Sequence, residues 1–193
     1  MTDNTPATVE LNSQDTDIQI SFADSIGLST IEQYYDLRAL EHILATTLRY
    51  MDEQTQTGLS YPYFAGMEPT LWQQKSKELA LYITDMEEGR ELNVEARGKD
   101  YATNILSYPS ELPEFLLEQM PTLPLGELIV CQAVLETEAL DQGKSVSDHL
   151  THLLVHGILH LLGFDHELGQ AEQDEMEGFE IAILAKLGVE NPY

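Results

Sequence analysis

Three histidines at fixed spacing constrain the fold of this chain more than any other sequence feature. His156 and His160 are four residues apart, so on an α-helix their imidazoles lie on one face, one turn apart. Gly163 permits the chain to reverse at the end of that helix, and His166 then returns towards the pair. The spacing therefore predicts a helix that ends near Gly163, with three ring nitrogens that converge on one point.

Three converging imidazoles are typical of a catalytic metal site, because three protein ligands leave a fourth coordination position open. Imidazole nitrogens bind zinc at roughly 2.0–2.1 Å. An all-imidazole set suits zinc, although nickel, copper and iron are chemically possible. We predict one Zn²⁺ per chain, held by His156, His160 and His166. A single histidine is more often a core or surface residue, but the spaced set of three favours the metal.

The other histidines and one aspartate have less specific interpretations. His152 lies one turn before His156, and we interpret it as a polar neighbour or a supporting group rather than a ligand. His149 and His42 are expected to be solvated. Asp165, which precedes the third histidine, either orients a metal-bound imidazole through its second nitrogen or simply forms a turn.

The histidine and glycine spacing matches the metzincin protease motif H-E-x-x-H-x-x-G-x-x-H. That motif places its general base, a glutamate, directly after the first histidine, and here the position is Gly157. A peptidase of this type would lack the group that deprotonates the attacking water. The residues therefore indicate a metal hydrolase but argue against this class of protease.

The chain is strongly acidic, with a formal net charge of -25 and nine Lys plus Arg residues. Because cations make the contacts to phosphate, this charge argues against a broad nucleic-acid surface and against DNA as a partner. Any RNA site must be local, a metal ion with a few basic groups beside it. An acidic surface also suits docking to basic proteins.

Nothing in the composition indicates a membrane or secreted protein. The apolar runs are far too short to span a bilayer, and the polar N-terminus lacks the basic and apolar regions of a secretory signal. The single cysteine, Cys131, excludes an internal disulfide framework. These features together predict a cytoplasmic protein that contacts no membrane.

Hydrophobic periodicity predicts a single α/β (α+β) domain over residues 17–193, after a disordered acidic tail at residues 1–16. It has a small mixed four-stranded sheet packed with about five helices, and the metal site lies at the end of a helix. The predicted strands cover residues 17–23, 79–83, 104–108 and 127–131. The predicted helices cover residues 35–51, 86–94, 132–142, 145–162 and 171–187. Residues 52–75, as a probable insertion, and most of residues 110–125 are predicted to be loops.

Several motifs in this sequence resemble those of the bacterial YbeY family. Residues 156–166, HGILHLLGFDH, resemble the family signature HGxLHLxGxDH. Residues 91–93, 97–100 and 103–109 resemble its LN…RGKD…TNVLSFP stretch, and residues 126–131 resemble its GD(I/L)VIC strand. The match runs in the right order from about residue 79 to residue 193. The chain departs from the family in its acidic surface and in residues 52–75, which look like an insertion relative to shorter members.

The resemblance implies a zinc-dependent endoribonuclease that prefers single strands. Such an enzyme acts in small-subunit (16S) rRNA 3'-end processing and ribosome quality control, with the small ribosomal subunit and ribosome-associated proteins as partners. Arg97 corresponds to the family's functional arginine, which would hold a phosphate by paired hydrogen bonds. Its alternative is a structural salt bridge. Lys99 and Ser107 are weaker candidates for contacts to the RNA backbone, and spacing indicates no carboxylate base.

Two other functions fit the same residues. One is a zinc hydrolase that acts on another substrate, including a peptide, although the missing glutamate beside His156 weighs against a peptidase. The other is a ribosome-assembly factor that binds partners and uses zinc structurally, which the acidic surface favours.

Overall fold

A four-stranded mixed sheet forms the centre of the fold in the computed structural model, which describes residues 16–193. The strands are β1 (Thr16–Phe22), β2 (Ser76–Thr84), β3 (Ile105–Pro109) and β4 (Thr122–Cys131). Their order is β1-β2-β4-β3. The pairs β1–β2 and β2–β4 are parallel, whereas β3 pairs antiparallel with β4. The tail predicted for residues 1–16 lies outside the described residues, except for Thr16, which begins β1.

Eight α-helices and one 3₁₀ turn surround this sheet in the described part of the chain. The helices are α1 (Leu28–Tyr34), α2 (Leu37–Thr55), α3 (Pro69–Gln74), α4 (Met86–Arg97), α5 (Glu114–Gln119), α6 (Gln132–Asp141), α7 (Val146–Leu162) and α8 (Gln170–Lys186). The single α+β domain with a four-stranded mixed sheet is confirmed, but the expected number of helices was too low. Among residues 16–193, no helix combines the length and apolarity that a bilayer span requires.

The long helix α7 begins and ends where its sequence signals place it. The Ser145 side chain caps its N-terminus by accepting a hydrogen bond from the backbone N–H of Asp148, 3.0 Å away. Gly163 follows its last residue with a φ of 102°, a left-handed conformation that glycine adopts without strain. Both ends of the histidine-bearing helix are therefore fixed by local sequence.

The prediction of a loop over residues 52–75 is partly wrong, because helix and 3₁₀ turn cover residues 52–55, 62–64 and 69–74. After the end of α2, this segment forms a 3₁₀ turn and α3, and a proline occupies the first turn of each. The Asp52 carboxylate accepts hydrogen bonds from the Tyr61 hydroxyl at 2.6 Å and from Trp72 Nε1 at 2.8 Å. Buried aromatic rings and one shared acceptor therefore hold a segment whose polar composition indicated a loop.

The loop predicted for residues 110–125 is also partly wrong, because α5 and the first half of β4 lie there. The register between β2 and β4 shifts beside Pro124, which leaves Leu125 as an extra residue in β4. Proline is tolerated at such a bulge, where a strand N–H is not needed. Gly126 follows with a φ of 138°, and a Cβ there would lie 2.2 Å from the Tyr108 carbonyl oxygen.

Helix α7 packs against β3 and β4 at Gly157. A Cβ at this position would lie 2.7 Å from Leu128 Cδ2 and 2.9 Å from Ile105 Cδ1. Leu128 and Ile105 are both buried in the core. The missing side chain of Gly157 therefore sets how closely the helix approaches the sheet.

We expect Gly157→Ala to destabilise the protein, because the added methyl group overpacks a closed contact, at a typical cost of about 1–3 kcal/mol. The matched control is Gly178→Ala in α8, where a Cβ meets nothing within 4 Å. That change should stabilise the helix by about 0.5–1 kcal/mol. Urea denaturation measures both free energies of unfolding. Shifts of the same sign would contradict the assignment of Gly157 as a packing constraint.

Candidate metal centre

The structure brings together the three histidines that the spacing singled out. His156 and His160 lie on α7, and His166 lies in the turn after it. One ring nitrogen from each lies within 4.8 Å of the others. The ring centroids are 4.6 Å apart for His156 and His160, and 5.2 Å apart for each of the other two pairs.

The spacing of these nitrogens fits a metal ion. Nε2 of His156 and Nε2 of His160 are 3.1 Å apart, whereas two ligand atoms on a tetrahedral zinc are separated by about 3.3 Å. Burial, followed by repulsion from His156 and His166, lowers the pKa of His160 to about 4. His160 is therefore neutral at pH 7, which is the form that binds metals. The residues present can hold a zinc ion, with His156, His160 and His166 as its ligands.

A buried carboxylate lies on the far side of His156 from the other two rings. Glu180, on α8, is 1% exposed, and its Oε1 lies 2.8 Å from His156 Nδ1. Its Oε2 lies 3.0 Å from His152 Nε2 and also accepts a hydrogen bond from the Tyr193 hydroxyl. Burial alone would raise the pKa of Glu180, but the hydrogen bonds from His152, His156 and Tyr193 lower it to about 2. Glu180 is therefore an ionised carboxylate with three donors.

A cavity of about 550 Å³ opens beside the histidine cluster. His156 and His166 line it, together with residues from α6, α7, α8 and the segment after α8. Its lining contains Glu138 and Glu177 but no lysine or arginine. This side of the centre is therefore acidic, and it offers no cation to a phosphate.

His149 also lines the cavity, and the expectation that it is solvated is wrong. Its side chain is 3% exposed, and its Nε2 lies 2.8 Å from Glu138 Oε2. The hydrogen bond from His149 lowers the pKa of Glu138. His42 is exposed, as expected. His152 supports Glu180 and lies outside the three-histidine cluster.

The geometry favours the turn interpretation of Asp165. Its Oδ1 accepts a hydrogen bond from the backbone N–H of Glu167 at 2.8 Å. Within residues 16–193, its carboxylate makes no hydrogen bond to an imidazole. Asp165 therefore shapes the turn that brings His166 back to the helix.

Arg97 and Lys99 lie together on the surface, at the end of α4. Arg97 is the last residue of the helix, and Gly98 ends it with a φ of 68°. Both basic side chains are exposed, and neither forms an ion pair within the described residues. Ser107 is half-buried on the edge strand β3. These three residues do not line the cavity, and the structure does not place Arg97 in the alternative role of a structural salt bridge.

Sequence reasoning missed Glu180. The signal was its position on α8, where it shares a buried face with Met176, Ile183 and Leu184. A glutamate is almost never fully buried unless it is paired. A carboxylate in an apolar stripe therefore indicates that hydrogen-bond donors lie elsewhere in the chain, but the sequence does not show which residues they are.

Comparisons with known proteins agree with the motifs. A family model described as Endoribonuclease YbeY matches residues 32–188. A protein named Endoribonuclease YbeY from Psychrobacter cryohalolentis is 64% identical over 151 residues, which are 78% of this chain and 97% of that protein. One of the same name from Acinetobacter baumannii is 51% identical over 116 residues, 60% of this chain and 73% of that protein. A solution structure from Thermotoga maritima covers 89% of this chain and 91% of its own, with 18% identity and a TM-score of 0.46.

We expect the wild-type protein to bind one zinc ion and His160→Ala to lose most of that affinity. Removal of a ligand should cost more than the roughly 10- to 100-fold that loss of a supporting contact causes. The control is His42→Ala, which removes an exposed imidazole and should bind zinc normally. Competition with a chromophoric chelator gives the affinities, and elemental analysis gives the stoichiometry. Stoichiometric, tight zinc in His160→Ala would contradict the three-ligand assignment.

Proposed function

The chain belongs to the YbeY family, and from this premise we propose that it is a zinc-dependent endoribonuclease that prefers single-stranded RNA. We further propose that it acts in 16S rRNA 3'-end processing and ribosome quality control, on the small ribosomal subunit and therefore in the cytoplasm. The observation that carries the proposal is the cluster of three imidazoles beside an open cavity.

The open face of this cluster supports catalysis rather than a purely structural metal. Three protein ligands leave one coordination position free, whereas structural zinc sites use four. When bound, zinc supplies a nucleophile at neutral pH and polarises a phosphoryl oxygen. His156, His160 and His166 would hold the ion, and Asp165 shapes the turn that carries the third histidine.

Arg97 is available to the substrate. Its exposed guanidinium forms no ion pair among residues 16–193, so it is free to bind a phosphate through two parallel hydrogen bonds. We assign it the role of stabilising negative charge on the phosphate in the transition state. Lys99, two residues later, is a second candidate for a contact to the RNA backbone.

The structure gives a physical reason against the peptidase alternative. In the metzincin motif the glutamate base follows the first histidine. Here that position, Gly157, faces Leu128 and Ile105 in the sheet, so a side chain there points into the core. Glu180 does not replace the missing base, because both its oxygens already accept hydrogen bonds and it is buried.

The charge distribution favours delivery of the RNA by a partner. Several of the nine cations are engaged within the chain: Arg90 pairs with Asp100, and Lys144 bonds the Pro192 carbonyl. Few cations remain for phosphate, so the isolated protein should bind RNA weakly. We propose that a basic protein of the ribosome contacts the acidic surface and brings the RNA to the site.

The test of this function is cleavage of RNA by zinc-loaded protein that is free of contaminating nuclease. We expect unstructured RNA to be cut faster than a stable duplex, and we expect His156→Ala to be inactive, because it lacks a ligand to the metal. Cleavage products are quantified on denaturing gels. Equal activity of wild type and His156→Ala would assign the cleavage to a contaminant and favour the non-catalytic assembly factor.

Arg97→Ala should lower the cleavage rate by about 100-fold or more, the usual cost of removing one transition-state hydrogen-bond donor. Zinc content and stability should not change, because the side chain is exposed and forms no ion pair in the described structure. Arg38→Ala is the matched control, since it removes the same charge from another exposed position. Equal rates for the two variants would show that Arg97 contributes only to the general charge.

A further inference from the structure

We propose that Glu180 is a positioning residue, which orients His156 for metal binding while His152 and Tyr193 hold its carboxylate in place. The inference rests on the proposed metal-dependent function and extends it from the three ligands to the groups that fix them. It depends on hydrogen-bond geometry that links α7, α8 and the segment after α8.

Both nitrogens of His156 have a defined direction. Nδ1 lies 2.8 Å from Glu180 Oε1, and Nε2 lies 3.1 Å from His160 Nε2. A carboxylate only accepts hydrogen bonds, so His156 donates from Nδ1 and carries the lone pair on Nε2. The contact with Glu180 therefore selects the tautomer that presents an unprotonated nitrogen to the metal.

The carboxylate itself is fixed by donors other than His156. Oε2 accepts from His152 Nε2 at 3.0 Å and from the Tyr193 hydroxyl. The group is 1% exposed, so side-chain donors rather than bulk water satisfy its charge. Because an ionised carboxylate that is buried needs hydrogen bonds to remain stable, rotation of Glu180 away from these donors is disfavoured.

Contacts to Lys144 and His152 hold Tyr193 and the residue before it. Lys144 Nζ donates to the carbonyl oxygen of Pro192 at 3.1 Å. The Tyr193 ring packs against His152 with a centroid distance of 5.8 Å, edge to face. The segment after α8 therefore supplies the third hydrogen-bond donor to Glu180.

Two other roles for Glu180 do not fit this geometry. As a metal ligand it would need to face the converging nitrogens, but it contacts the Nδ1 side of His156, opposite the Nε2 that faces His160. As a general base it would have to take up a proton, but hydrogen bonds from His152, His156 and Tyr193 favour its ionised form. Glu180 therefore acts through His156 and not on the substrate.

The experiment compares Glu180→Gln with Glu177→Gln. Both variants lose one negative charge from the same wall of the cavity, and Glu177 makes its side-chain hydrogen bond to Gln173 rather than to an imidazole. We expect Glu180→Gln to bind zinc about 10- to 100-fold more weakly than wild type, the usual cost of losing a group that orients a ligand. Glu177→Gln should stay within twofold of wild type. Equal affinities of the two variants would overturn the proposal.

A second measurement separates positioning from a merely structural role. Long-range ¹H–¹⁵N NMR of the imidazoles reports which ring nitrogen carries the proton. In wild type, His156 should be protonated at Nδ1, both with and without zinc, whereas Glu180→Gln should shift the metal-free protein towards a mixture of tautomers. A proton on Nε2 of His156 in metal-free wild type would overturn the proposal.

The wild-type NMR result tests the role of Glu180 even if Glu180→Gln does not fold. Neither readout involves RNA cleavage, so the outcome is distinguishable from a failure of the proposed function. A protein that binds zinc through an Nδ1-protonated His156 but cuts no RNA would keep Glu180 as a positioning residue and remove only the nuclease assignment.

Discussion

The contact between α7 and the sheet at Gly157 is the constraint on which the rest of the site depends. Because successive residues of a helix are rotated by about 100°, fixing the direction of one position fixes the direction of all the others. With Gly157 against Leu128 and Ile105, His156 lies about 100° and His160 about 60° around the helix, both on the same side of Gly157. Helix α8 and the turn that carries His166 meet them there. The same packing that buries the helix therefore aims its imidazoles at one point.

The burial of Glu180, which the metal centre needs, costs free energy of folding. A carboxylate at a core position of α8 is costly to bury, and an apolar residue of similar volume is often neutral or stabilising at such a position. The cost is offset only while His152, His156 and Tyr193 donate to it. Loss of any one donor weakens this compensation, so the folding of this region and the geometry of the metal centre are coupled through one side chain.

Local signals predicted one part of this structure, and long-range partners decided the rest. Ser145, Gly163 and the histidine spacing are local, and they gave the bounds of α7 and the convergence of the rings. Glu180 meets His156 from another helix, 24 residues later, and no spacing rule connects two positions on separate helices. The loop prediction for residues 52–75 was partly wrong for the same reason. The segment is held by contacts distant in sequence, in which Asp52 accepts hydrogen bonds from Tyr61 and Trp72.

Arg97 and Glu180 are unusual in a chain with so many exposed carboxylates. With 34 acidic and nine basic residues, carboxylates are abundant at the surface, yet Arg97 forms no ion pair within residues 16–193. An exposed ion pair contributes little to stability, so leaving Arg97 unpaired costs the fold almost nothing and keeps its guanidinium available. Glu180 is the opposite case, since its charge is buried and fully paired. In this acidic chain, the exposed guanidinium of Arg97 is therefore without an ionic partner among residues 16–193, whereas the buried carboxylate of Glu180 has three hydrogen-bond donors.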